Sequence, residues 1–86
     1  MKAIKKPIVV DVWELDSNLR SHLPSWVITA CRKGLLSYEG DCWYISTLEG
    51  KMKARDGDFL IKGIRGELYP CEHSIFKETY NIVEWD

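Results

Sequence analysis

The sequence predicts an α+β fold: a small twisted antiparallel β-sheet or partial barrel with one main helix over about 24–33 and a short C-terminal helix. Two observations predict it. Short runs of β-branched and aromatic residues alternate with Gly-containing turns from Leu35 onward. Only the segment Pro24 to Gly34 carries strong signals of both a helix start and a helix stop. At 86 residues the chain is read as one domain, residues 1–86.

The first strand is read over Ile8 to Leu15, which is β-branched and alternates after Val10, placing Val10, Val12 and Glu14 on one face. Asp16-Ser17-Asn18 ends it. The helix follows, with Pro in its first turn, apolar Trp26 or Val27, Ala30 and Cys31 at helical spacing, and Arg32, Lys33 and Gly34 at its end. Strands are then read over Leu35 to Tyr38, Cys42 to Thr47 and Lys51 to Arg55. Asp56-Gly57 signals a turn in which Gly57 takes a positive φ. Phe59 to Ile64 and Glu67 to Tyr69 form a hairpin around Arg65-Gly66, a loop from Pro70 leads into one or two helical turns, and a last strand is read at Asn81 to Trp85.

A chain of this size buries only roughly 60–65% of the surface its unfolded form exposes. Four Trp, four Tyr and two Phe compensate, since each aromatic side chain buries about 150–250 Å². Trp13 and Trp26 are expected between strand and helix, with Phe59, Ile61, Phe76 and Tyr80 at the centre. Association of several copies would add burial that a small domain lacks.

Twelve basic and thirteen acidic residues give a net charge of −1, which argues against a surface that neutralises many duplex phosphates. A ligand with one or two phosphates is compatible with it. The longest apolar run considered, Ile8-Val9-Val10, is far too short to cross a membrane, and Met1 to Lys6 lacks the apolar core of a signal peptide, so a cytosolic protein is expected. Cys31, Cys42 and Cys71 are odd in number and lack CxxC spacing, which predicts buried free thiols rather than disulfides or a zinc site.

No catalytic signature stands out. His22 and His73 lie in separate loop-like contexts without a nucleophile elbow or the i,i+4 spacing of a helical metal pair. Neither catalytic residues, metal ligands nor a cofactor are therefore assigned. Gly63-Ile64-Arg65-Gly66 is no Walker loop, because it leads into a strand. It has two readings: an anion site made by main-chain N–H groups with Lys62 and Arg65, or a solvated hairpin tip. Trp43 and Tyr44 are neighbours on a strand and point to opposite faces, so one of them lies outside the main core or at an interface. Such a ring can stack on a nucleobase or pack against a protein.

The words Lys6-Pro7-Ile8-Val9-Val10-Asp11, Pro24-Ser25-Trp26-Val27, Gly57-Asp58-Phe59-Leu60-Ile61 and Gly63-x-x-Gly66-Glu67-Leu68-Tyr69-Pro70-Cys71 run through nearly the whole chain. In these it resembles a family of small tailed-phage proteins similar to the anti-CBASS sponges, small early-region proteins of T-even phages among them. One departure is Asp56, where relatives often place Pro before Gly-Asp; both residues suit a turn.

The resemblance implies an immune-evasion protein of the host cytoplasm. It would bind a cyclic dinucleotide signal, such as cyclic GMP-AMP, without cleaving it, and assemble as a homotetramer. Under that reading Lys62 and Arg65 meet phosphates, N–H groups around Gly63 and Gly66 add donors, and Trp43 or Tyr69 stacks on a base. The alternative is a non-enzymatic adaptor that binds a host protein through an aromatic surface.

Overall fold

The side-chain alternation of β-strands and two apolar clusters organise the molecule. A computed structural model describes residues 1–20 and 22–84. Its elements are β1 (Asp11–Glu14), α1 (Ser25–Arg32), β2 (Leu36–Glu39), β3 (Cys42–Thr47), β4 (Gly50–Ala54), β5 (Phe59–Lys62), β6 (Leu68–Cys71) and α2 (His73–Thr79). The α+β class holds. The strands form two antiparallel sheets, a central one of order β1-β5-β6 and an outer one of order β2-β3-β4.

The central sheet is apolar on both faces. Trp13 opposes Leu60, while Val12 opposes Ile61 on the other face. One face gives Trp13, Leu15, Leu60 and Leu68 to the main core, shared with Val27 and Ala30 of α1 and with Leu36, Trp43, Ile45 and Ala54 of the outer sheet. The other face gives Phe59 and Ile61 to a second core closed by Phe76 of α2, with Val10, Val12, Tyr69 and Tyr80 against it. Phe76 stacks on Phe59 at 3.8 Å between ring centroids and on Tyr80 at 4.8 Å. These aromatic residues thus fill a separate layer beneath α2 rather than the centre. Trp13 and Trp26 do share the strand–helix core.

Local chemistry sets the ends of the elements. The carbonyl of Pro24 accepts the N–H groups of Val27 and Ile28 at 3.0 and 3.2 Å, opening α1. At its other end Gly34 takes φ +74°. There Gly34 N–H donates to the Cys31 carbonyl and Leu35 N–H to that of Ala30, the paired bonds of a Schellman stop. Between β4 and β5, Asp58 N–H donates to the Arg55 carbonyl at 3.0 Å, with Gly57 at φ +93° in the third position of the turn.

Three expectations need correction. Pairing of β1 begins at Asp11 rather than Ile8, because its partner Lys62 is the last residue of β5 before the chain turns away. Val12 and Glu14 do share a face, with Glu14 exposed opposite Phe59. Pro70 and Cys71 belong to β6 rather than a loop; β6 is an edge strand, where a missing N–H is tolerated. Residues 81–84 form no strand, and Trp85 lies outside the described residues.

Candidate functional site

The β5–β6 hairpin brings part of the expected site together. Gly63 N–H donates to the Glu67 carbonyl at 2.8 Å and Gly66 N–H to the Gly63 carbonyl at 3.0 Å. Arg65 N–H donates to Glu67 Oε1 at 3.0 Å. The main-chain donors expected to face a ligand at Gly63 and Gly66 are therefore already paired within the hairpin. Lys62, Gly63, Arg65 and Gly66 remain neighbours at its tip, with Arg65 and Gly66 exposed.

Tyr69 does not join them. Lys62 opposes Leu68 whereas Tyr69 opposes Ile61, so their side chains leave opposite faces of the sheet. Tyr69 packs into the second core, where burial first, and the neighbouring Tyr80 next, push its pKa up to about 12. Its hydroxyl is neutral at physiological pH.

Trp43 is a core residue, not an accessible platform. It is 5% exposed, meets Trp13 edge-on at 5.6 Å and lies 5.1 Å from the Tyr38 ring. Its Nε1–H donates to Asp56 Oδ1 at 2.7 Å. The same carboxylate accepts the Ser17 hydroxyl at 2.5 Å and the Ser17 N–H at 2.9 Å. These bonds, from the Ser17 hydroxyl first and the Trp43 indole second, hold the Asp56 carboxyl below the usual aspartate range. Asp56 thus ties the segment after β1 to the outer sheet, which a proline there could not do.

Tyr44 is the residue that leaves the core. Its ring lies on the outer face of β3, with Lys51 Nζ 5.9 Å and Lys53 Nζ 5.7 Å from its centroid. Tyr44 opposes Lys53 and Ser46 opposes Lys51 on neighbouring β4. The sequence signal was Lys51-Met52-Lys53, a period-two pair that places both cations on one strand face. Beside this face is an open concavity of about 530 Å³, whose lining includes Cys42, Lys53, Arg55, Asp58 and Glu72. A second, of about 470 Å³, lies by Asp16, Arg20 and Asp56. Of its carboxylates, Asp56 is paired as above and Asp16 is committed to the loop, accepting the N–H groups of Asn18 and Arg20 at 3.0 and 3.1 Å.

All three cysteines are free, but Cys31 is exposed and Cys42 and Cys71 are half-buried, correcting the expectation of buried thiols. Burial pushes the Cys31 and Cys71 thiols above their ordinary pKa, so both are protonated near neutrality and poorly nucleophilic. His73 Nδ1 lies 2.8 Å from the Gly57 carbonyl, joining α2 to the β4–β5 turn. Among the described residues no group of three or more His, Cys, Asp or Glu is placed to hold a metal. No helix among them is long and apolar enough to cross a membrane. Comparisons with family models, curated proteins and solved structures give no match.

Proposed function

We propose that this protein sequesters a cyclic dinucleotide signal in the host cytoplasm by reversible binding without cleavage. It is thereby a phage immune-evasion protein of the sponge type, working as a homotetramer. The observation that carries the reading is Tyr44, an aromatic ring outside the core with two lysine ammonium groups within 6 Å. A base stacks on the ring after displacing a flexible lysine stem, and the ammonium groups meet the phosphates. Lys62 and Arg65 form a second cationic cluster at the hairpin tip. In this reading the platform is Tyr44, in place of Trp43 and Tyr69.

A second reading, an adaptor for a host protein, draws support from Leu48, which is 85% exposed, and Met52, 42% exposed, both in the β3–β4 hairpin. One experiment separates the readings. The protein is incubated with cyclic di- and trinucleotides, freed of unbound ligand and heated, and the released species is identified. Intact ligand supports sequestration, cleaved ligand demands an enzyme, and no retention favours the adaptor. Tyr44→Ala should weaken binding roughly 5- to 150-fold, as expected for one lost base stack, with an unchanged far-UV spectrum. Arg65→Ala tests the tip, and unchanged affinity removes it from the site.

A further inference from the structure

Among the described residues, the segment before β1 has the pattern of a strand and no strand partner. Ile8-Val9-Val10 is β-branched throughout, yet β5 ends at Lys62, opposite Asp11, and leaves it unpaired. Ile8 is 50% and Val9 79% exposed. β1 is also an edge of the central sheet, with a strand on one side only. Leu15 shows which way its main-chain groups face. Its N–H donates to the Asp58 carbonyl at 2.8 Å and its carbonyl accepts the Gly57 N–H at 2.9 Å, both towards the β5 side. These groups alternate along a strand, so those of Trp13 and Asp11 also face β5, while those of Glu14, Val12 and Val10 face the open edge. No residue before Leu19 has a positive φ. Continued in extended form, the alternation turns Ile8 and Lys6 to the open edge and Pro7 away from it, so Pro7 removes no donor there. β6, the other edge strand, is the reverse. Gly63 N–H donates to the Glu67 carbonyl, so Glu67, Tyr69 and Cys71 face β5 and Pro70 lies on the open edge, which it blunts.

We infer that two copies of this chain pair antiparallel along this edge, residues 6–14 of one against residues 14–6 of the other, with Val10 opposite Val10 on the two-fold axis. The partner is a second copy because the segment is complementary to itself. In this register the exposed Lys6 opposes the exposed Glu14 of the second copy, twice by symmetry. On the same face Ile8 opposes Val12, which packs against the second core, so the pairing covers Ile8 and extends that core. A slide of two residues one way sets Asp11 against Asp11. The other way it sets Lys6 against Val12 and Glu14 against Ile4, with no ion pair. The two central sheets become one of six strands, joined β1 to β1. This interface serves the assembly proposed above but rests on no ligand.

Sedimentation velocity of the full chain over a concentration series tests it. Ile8→Pro removes an N–H from the shared edge at two symmetric positions and should raise the dissociation constant about tenfold or more, turning a dimer into a monomer or the proposed tetramer into a dimer. Val9→Pro, whose N–H faces away from the edge, should associate as wild type does. Lys6→Glu and Glu14→Lys should each weaken association roughly fivefold, and the double variant should recover it. Far-UV spectra establish that each variant is folded. A wild type that stays monomeric, an Ile8→Pro variant that associates unchanged, equal loss in Val9→Pro, or a double variant no better than the single ones would overturn the pairing. Retention of a cyclic dinucleotide by a monomeric wild type would leave sequestration standing without this interface. A wild type that pairs as described but retains no nucleotide would leave the interface standing without sequestration.

Discussion

Replacing Asp56 by Ala should destabilise the protein by about 2 kcal/mol, and the structure says where that comes from. The Trp43 indole N–H loses a charged acceptor at 2.7 Å. A bond to a charged group contributes about 1.5–3 kcal/mol, and the lower end applies because Asp56 is exposed and water can reach the freed donor. The two Ser17 bonds are solvent-facing and add about 0.5 kcal/mol together. In a domain of this size the sum lowers Tm by roughly 8–16 °C. Urea denaturation followed by tryptophan fluorescence measures it. In a Trp43→Phe background the same substitution should cost about 1.5 kcal/mol less, since the indole donor is already gone. Asp56→Pro loses the same side-chain bonds but suits the second position of the Arg55–Asp58 turn, and should recover about 0.4–1 kcal/mol through a stiffer unfolded chain. The pH dependence has a fixed sign. The folded carboxyl titrates below its ordinary value, so its contribution is present above about pH 4 and lost as pH falls through the folded pKa. The gap between wild type and Asp56→Asn should accordingly narrow with acidification below pH ~4. A cost under about 0.5 kcal/mol for Asp56→Ala, or one unchanged in the Trp43→Phe background, would refute the argument.

Phe76→Ala should cost about 3–5 kcal/mol, because it empties the centre of the second core; a loss below about 1.5 kcal/mol in urea denaturation would mean that α2 is not packed as described. Gly57→Ala should cost about 1–2 kcal/mol through backbone strain alone, since φ is +93° and no atom lies within 4 Å of an added Cβ. Equal stability of the two proteins in thermal melts would contradict that conformation. Alkylation of Cys31 and Cys71 by iodoacetamide should be slow at pH 7.5 and rise with midpoints above the ordinary thiol range, read peptide by peptide by mass spectrometry; a midpoint near neutrality at either residue would overturn the upward shift there.

The parts of the fold legible in the sequence were those fixed by local chemistry. Pro24 and Gly34 bracket α1 because an end signal acts within a few residues, and Asp56-Gly57 turns where its glycine permits a positive φ. The division into two sheets was not legible. It depends on β5 pairing with β1, as in Val12 with Ile61, far apart in the chain, and no local pattern states which strands meet. The absent strand after Asn81 has a related cause: Ile82 packs against the second core without a strand partner. In the candidate site, alternation established that Trp43 and Tyr44 diverge, but not which of them is buried. That choice was made by Asp56, whose carboxylate satisfies the indole N–H where the ring leaves the core.

Topology narrows where the ligand proposed above could lie. The central sheet is covered on one face by α1 and the outer sheet and on the other by α2, so neither face is open. The outer sheet buries Leu36, Trp43, Ile45 and Ala54 on its inner side alone. Its outer side is thus the one sheet face in the described residues with no layer upon it. On that face Tyr44 sits between cross-strand neighbours Ser37 and Lys53. Lysines on a strand such as β4, at a sheet edge, also discourage pairing with foreign strands, so Lys51 and Lys53 have a protective role even without a ligand. The two roles predict different results. Lysine-to-glutamine changes at both positions preserve polarity but remove charge. Under the edge-protection role alone they promote aggregation and leave nucleotide retention intact; under the ligand-binding role retention falls and becomes less sensitive to salt.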